Sequence, residues 1–206
     1  DMPAHYRDAA LLVSTSRAEG FPNVFLEAWA HRLPVVSLEI DTDEPDYFRG
    51  ARAMHAAGFR PGHVVYNTFS YHLTPAGSMC ETGAHALGCT VFPGGTGQTE
   101  LQVQAMADLR PAGYVGTPSF LKIILEKADE HGTPLPSLTR ALVSGEAFPP
   151  SLRDGWLARG IAGFQAYATA DLGCIAYESA AREGLIVDEG VLVEIVRPGT
   201  GDPVAP

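Results

Sequence analysis

The chain has 206 residues, 46% hydrophobic and 18% charged, with a mean hydropathy of +0.03. That is enough apolar material for a packed core and excludes wholesale disorder. Twenty-four acidic against 14 basic residues give a formal net charge of −10, which excludes nonspecific nucleic-acid binding through a basic face.

No apolar run reaches the ~20 residues of a membrane span, and the opening DMPAHYRD has neither a basic n-region nor an apolar core. The expectation is a soluble cytoplasmic protein of one large domain or one and a half, at about 150 residues per domain. In chain order, short apolar runs predict strands over 11–14, 34–38, 63–68, 89–92, 113–115, 140–143, 163–166 and 191–196. Amphipathic stretches predict helices over 23–31, 46–57, 74–87, 99–109, 119–131 and 150–159. Strands separated by helices make an α/β fold, a largely parallel sheet flanked by helices. Gly58, Gly88, Pro111 and Gly132 each end a periodic run. Beyond Asp171 strand-like segments follow without helices, a β-rich C-terminal segment whose PGTGDP turn predicts an antiparallel hairpin. The chain stops soon after it, at Pro206, which reads as an end in mid-structure.

Cys80, Cys89 and Cys174 form no Cys-x-x-Cys pair and lie among apolar neighbours, so they read as buried structural thiols. Between Glu39 and Asp46 five carboxylates fall within eight positions. A metal cluster and a solvated connector both fit such a run, but only the connector needs no convergence of ligands. The run marks a seam between residues 1–43 and 44–206.

Residues 10–38, ALLVSTSRAEGFPNVFLEAWAHRLPVVSL, give a strand, a loop with Gly20 and Pro22, a helix and a second strand, with Glu19 and Glu27 eight apart. This resembles the paired-glutamate segment of group 1 GT-B glycosyltransferases. The resemblance implies that Glu19 meets a donor sugar and Glu27 the ribose hydroxyls of a nucleotide sugar. One carboxylate accepts two hydrogen bonds from vicinal hydroxyls, and a helix start offers free N–H groups to a diphosphate. On spacing alone, the two are equally a loop residue and a solvent-facing helix residue. One βαβ unit is also less than the two facing domains such an enzyme needs.

From residue 44 on, the stretch AAGFRPGHVVYNTFSYHL, then PGGTGQTE, GTPS, RALVSGEAFPP, QAYATADLG and VEIVRPGTGDP, resembles the phenylacetate-CoA ligase-like branch of the adenylate-forming enzymes. The fold this implies is a truncated adenylate-forming large domain. The implied reaction joins a carboxylic acid to AMP, then passes the acyl group to coenzyme A, with ATP and Mg2+ consumed or bound. Ser144, Gly145 and Glu146 would border the adenine, at a strand end where open α/β sheets bind ligands; an ordinary strand-to-helix turn fits the same residues. Tyr167 would stack on adenine, and Asp171 would stand at the magnesium-associated acid. Ala168 replaces the family's glycine, and Ala170 the hydroxyl residue, for which Thr169 is the candidate substitute. Tyr71, His72 and the segment Gly116, Thr117, Pro118 match acyl and adenylate pocket positions, although a lone histidine also fits a satisfied structural role. The partner implied is a small carboxylic acid, and the apolar stretch 69–73 suits an aromatic or other apolar one.

The glycine-rich 93–100 segment lacks the Gly-Lys-Ser/Thr of a phosphate loop, so Thr99 is expected to cap the next helix. Ser179 and Ile186 occupy positions where some relatives carry a cysteine and a histidine, and neither is a zinc ligand, so no zinc is expected. The family's phosphate loop would lie upstream of Asp46, and its lid with the adenylation lysine beyond Pro206. Lys122 and Lys127, both in the helix over 119–131, cannot replace that lysine. The chain alone is therefore expected to be nearly inactive as a ligase. A glycosyltransferase and a non-catalytic nucleotide-binding module are the alternatives.

Overall fold

The computed structural model describes residues 12–14, 35–37 and 45–204. Strands β1 (Leu12–Ser14) and β2 (Val35–Ser37) form a two-stranded parallel ladder, Leu12 opposite Val35. The helix expected over 23–31, the acidic residues 39–44, Glu19 and Glu27 lie outside the described residues.

The body follows in the order α1 (Pro45–Ala56), β3 (Val64–Asn67), α2 (Ala76–Ala86), β4 (Thr90–Pro93), α3 (Thr99–Leu109), β5 (Gly113–Gly116), α4 (Pro118–Glu130), β6 (Arg140–Val143), α5 (Pro150–Leu157), β7 (Ala162–Thr169), β8 (Gly173–Glu178) and β9 (Leu185–Val187). Its seven strands run β4-β3-β5-β6-β7-β8-β9. Pairings from β4 to β7 are parallel because a helix or long connection returns the chain each time. From β7 to β9 they are antiparallel, since short turns suffice. The chain leaves β3 for β4 on one side and returns to β5 on the other, so a topological switch point lies at the C-terminal end of β3.

Strand periodicity sends alternate side chains to two cores. Tyr66, Tyr114, Ala141 and Val143 face one, with Met106, Leu121, Ile124 and Trp156 from α3 to α5. Val65, Val115, Leu142 and Phe164 face the other, with Ala53 and Met54 of α1 and Ala84 of α2. Each fully buried Val, Leu, Ile or Met contributes about 1.5–3 kcal/mol. Helix α1 thus packs into the second core, and its Arg49 and Arg52 pair with the buried Asp188 just past β9.

Three expectations change. The valine-rich 191–196 run forms no ladder; it makes only the Val196–Pro203 bridge, with the Val204 amide donating to the Ile195 carbonyl. The hairpin is present but short, because no described strand lies alongside to extend it. Strand β7 continues through Thr169 rather than ending at 166, placing the Tyr167–Thr169 motif on a strand with a bulge at Tyr167/Ala168. Thr99 makes no cap. Residue 98 takes a left-handed conformation, and the buried Gln102 side chain instead donates to the carbonyls of Gly94, Gly95 and Gly97, while accepting from the Tyr66 hydroxyl at 2.6 Å.

Candidate functional site

The loops at the strand C-termini are fixed by buried polar groups. Asn67 donates through Nδ2 to the Tyr71 hydroxyl and to the Gly77 carbonyl, both at 2.8 Å, and accepts from the Phe69 amide at 3.1 Å. Both N–H groups and the oxygen of the amide are thereby engaged, and it folds the 68–77 loop over the end of β3. Thr68 and Tyr114 share a hydroxyl contact of 2.6 Å, and Tyr114 donates onward to the Thr117 carbonyl at 3.1 Å. Residue 116 passes so close that a Cβ there would overlap both hydroxyl groups, which is why glycine stands in the GTPS segment. Gly145 has φ +82°, a conformation that side-chain-bearing residues rarely adopt.

Among these loops lies a cavity of about 210 Å3. Phe69, Met54, Met79 and Leu142 give it an apolar wall, Thr74, Ser144 and Thr169 supply hydroxyls, and among the described residues no charged side chain lines it. Cys80 of α2 and Cys174 of β8 also face it. Burial pushes these thiols up to about 12 and about 11 respectively.

Of the residues singled out from the sequence, Ser144, Gly145, Ala168 and Thr169 come together on this cavity. Tyr167 does not line it: Ala166 and Ala168 do, and the tyrosine between them is 57% exposed. Asp171 is exposed outside the lining. Glu146 turns away and accepts from the Ser119 amide and hydroxyl at the start of α4. Gly116, Thr117 and Pro118 form the neighbouring turn, with Thr117 against Gly145. Tyr71 is half-buried on Asn67; burial, followed by a hydrogen bond with Glu81, raises its hydroxyl well above the usual range. His72 is exposed, its amide donating to Ser70 Oγ at 3.1 Å. In the apolar stretch 69–73 only Phe69 enters the cavity, while Leu73, at φ 55°, is 94% exposed.

Sequence reasoning missed Met54 and Met79 as cavity residues. The apolar face of each helix was legible, but not which apolar side chains would border an open space. The cysteines are correspondingly divided: Cys89 is buried, while Cys80 and Cys174 are half-buried. Among the described residues no group of three or more His, Cys, Asp or Glu side chains converges to hold a metal. No helix among them is long and apolar enough to cross a membrane.

Residues 1–54 match the family Glycosyl transferases group 1. The chain aligns with the phenylacetate-coenzyme A ligase of Aromatoleum evansii at 31% identity over 164 residues, 74% of this chain and 36% of the relative. The corresponding ligase of Thermus thermophilus aligns at 31% over 166 residues, 75% and 36%. This chain therefore spans 36% of the length of these curated relatives. An open conformation of 2-hydroxyisobutyryl-CoA ligase, in complex with 2-HIB-AMP and CoA, superposes with a TM-score of 0.63 at 25% identity, over 69% of this chain and 33% of that one. The anthranilate CoA ligase bound to anthranoyl-AMP gives 0.63 at 16%, over 78% and 33%, a likeness of fold alone. The body of the chain is thus similar in sequence to phenylacetate-CoA ligases and has the fold of part of an adenylate-forming CoA ligase, behind a segment similar to group 1 glycosyltransferases.

Proposed function

We propose that the body of this chain is the acyl-adenylate-binding segment of an ATP-dependent carboxylic acid–coenzyme A ligase. The observation that carries this reading is the cavity where Ser144 and Gly145, at the end of β6, meet Ala168 and Thr169 of β7. These are the two segments that the family resemblance assigns to the adenylate, and with Thr74 they supply the hydroxyls of a largely apolar pocket beside the topological switch point. In the reaction a carboxylate oxygen attacks the α-phosphorus of ATP and pyrophosphate leaves. The coenzyme A sulfur then attacks the acyl carbon and AMP departs.

In this reading Ser144, Gly145 and the exposed Tyr167 ring border adenine, and Thr169 donates to the α-phosphate. Its oxygen already accepts the Leu172 amide at 3.2 Å, which leaves the hydroxyl proton for a ligand. The acid lays its apolar body against Phe69, Met54 and Met79, with Tyr71, His72 and residues 116–118 near the carboxylate end. A dry cavity of about 150 Å3 holds benzene, so 210 Å3 suits an acid with one ring or a comparable aliphatic tail. Magnesium would arrive on the triphosphate with Asp171 as its one protein carboxylate, a donor set this ion accepts. Both lysines sit in α4, Lys122 beside Glu126 and Lys127 on Glu130, so neither serves the phosphate. Adenylate formation by the 206-residue chain alone is expected to be slow. We place the seam between the two units at residues 43/44; the packing of α1 into the second core supports this, although the glycosyltransferase family match extends to residue 54.

Calorimetric titration with AMP and with a non-hydrolysable acyl sulfamoyl adenosine tests the reading. One-to-one binding of the analogue, weakened by Thr169→Val, is expected; no binding of either at millimolar concentration overturns it. The match over residues 1–54 supports a second reading, sugar transfer through Glu19 and Glu27, which predicts binding of UDP-glucose or GDP-mannose instead. AMP binding without ATP–pyrophosphate exchange would leave the non-catalytic nucleotide-binding module.

A further inference from the structure

Arg49 of α1 reaches the turn that carries Thr169. Its Nε lies 3.3 Å from Asp188 Oδ1, and that carboxylate, 1% exposed as a residue, also accepts the Gly190 amide at 3.0 Å. From this anchor Arg49 donates through Nη1 to the Leu172 carbonyl at 3.2 Å and through Nη2 to the Gly190 carbonyl at 3.4 Å. Leu172 ends the turn between β7 and β8, and its own amide donates to Thr169 Oγ1 at 3.2 Å. Residue 172 is therefore held from both sides, its carbonyl by the guanidinium and its amide by the threonine. The next residue of α1, Gly50, lines the same cavity as Thr169.

We propose that Arg49 is a positioning residue for the cavity: through Leu172 it holds the 170–172 turn so that the Thr169 hydroxyl, its oxygen occupied, offers its proton to a phosphate oxygen of the ligand. The ligand half of this inference rests on the adenylate reading given above; the hold on the turn does not. Arginine suits the task because one planar fork serves a carboxylate and two carbonyls in fixed directions, whereas a lysine ammonium is a point charge on a flexible stem.

Hydrogen exchange on the ligand-free 206-residue chain tests the hold. Arg49→Met and the milder Arg49→Lys are expected to speed exchange of the Leu172 amide about tenfold or more, leaving peptides of α4 and β5 unchanged. Unchanged exchange at Leu172, or loss of protection throughout the chain in both variants, overturns the proposal. A double-mutant cycle with Thr169→Val, read by affinity for the acyl sulfamoyl adenosine, tests the coupling. Arg49→Lys is expected to weaken binding about fivefold or more in the native background and to add little once Thr169 is valine. Additive losses overturn the positioning role, since they show Arg49 acting elsewhere. If the native chain binds no adenylate while exchange at Leu172 rises in the variants, the adenylate reading fails and the hold on the turn stands.

Discussion

The Glu146 carboxylate closes the N-terminus of α4, accepting from the Ser119 amide at 3.2 Å and the Ser119 hydroxyl at 2.9 Å. Thr117 at the N-cap makes no side-chain cap bond, so the first turn is satisfied from the loop after β6. A negative charge there also complements the helix dipole. Glu146→Ala is expected to lower stability by about 1 kcal/mol, and Glu146→Gln by less because it keeps an acceptor. Urea midpoints of the three proteins check this; equal midpoints would show that water replaces the cap without loss.

The Thr68–Tyr114 hydroxyl pair depends on the absence of a side chain at Gly116. Tyr114 is wholly buried, so its hydroxyl cannot turn to water if displaced. Gly116→Ala is expected to cost about 2–4 kcal/mol, from overpacking together with a lost buried hydrogen bond. Tyr114→Phe in the alanine background removes one of the two overlapping hydroxyls and should recover part of that loss. A double variant no more stable than Gly116→Ala would place the clash on Thr68 or the backbone instead.

The alternation of short apolar runs with amphipathic stretches made the parallel half of the sheet legible, because each βα unit carries its own periodicity. What lay outside local pattern was not. Thr99 has the right chemistry for a cap, but no side chain caps α3; Gln102 instead ties down the preceding loop by donating to three of its carbonyls. The 191–196 run has strand composition, yet a strand also needs a partner edge, and composition does not report one. The strand expected over 163–166 was too short at its C-terminal end, because the pairing of Tyr167–Thr169 with β8 is set by the following turn. Of the site, the Ser144–Gly145 and Ala168–Thr169 segments were visible as motifs. The Arg49–Leu172 bond joins residues 123 apart, and no local signal could mark it.

His63 makes the fold sensitive to mild acid. Its Nδ1 accepts the Arg60 amide at 3.1 Å, and burial, then the charges of Arg140 and Arg60, hold the imidazole below its ordinary 6.5. The unfolded chain therefore takes up the proton first as pH falls. This residue's contribution is intact above about 6.5, declines as pH drops through that value, and levels off below the folded-state pKa. His63→Gln keeps an acceptor for Arg60 and removes the titration. Urea midpoints from about pH 8 to 5 should show the native chain losing more stability than the variant; parallel profiles would reject the assignment.

Cys80 and Cys174 report on the cavity directly, since both line it and burial raises both thiols, to about 12 and about 11. At pH 8 about one Cys174 side chain in a thousand is thiolate, so alkylation by iodoacetamide should run about a hundredfold slower than for an exposed cysteine. All three cysteines should react at ordinary rates once urea unfolds the chain. Cys89, whose Sγ donates to the Arg60 carbonyl at 3.3 Å, does not line the cavity. An acyl sulfamoyl adenosine seated among Phe69, Met79 and Thr169 should therefore slow Cys80 and Cys174 further and leave Cys89 unchanged. Mass spectrometry of the modified peptides separates the three sites. Protection of all three would indicate global stabilisation, and protection of none would place the ligand outside the cavity.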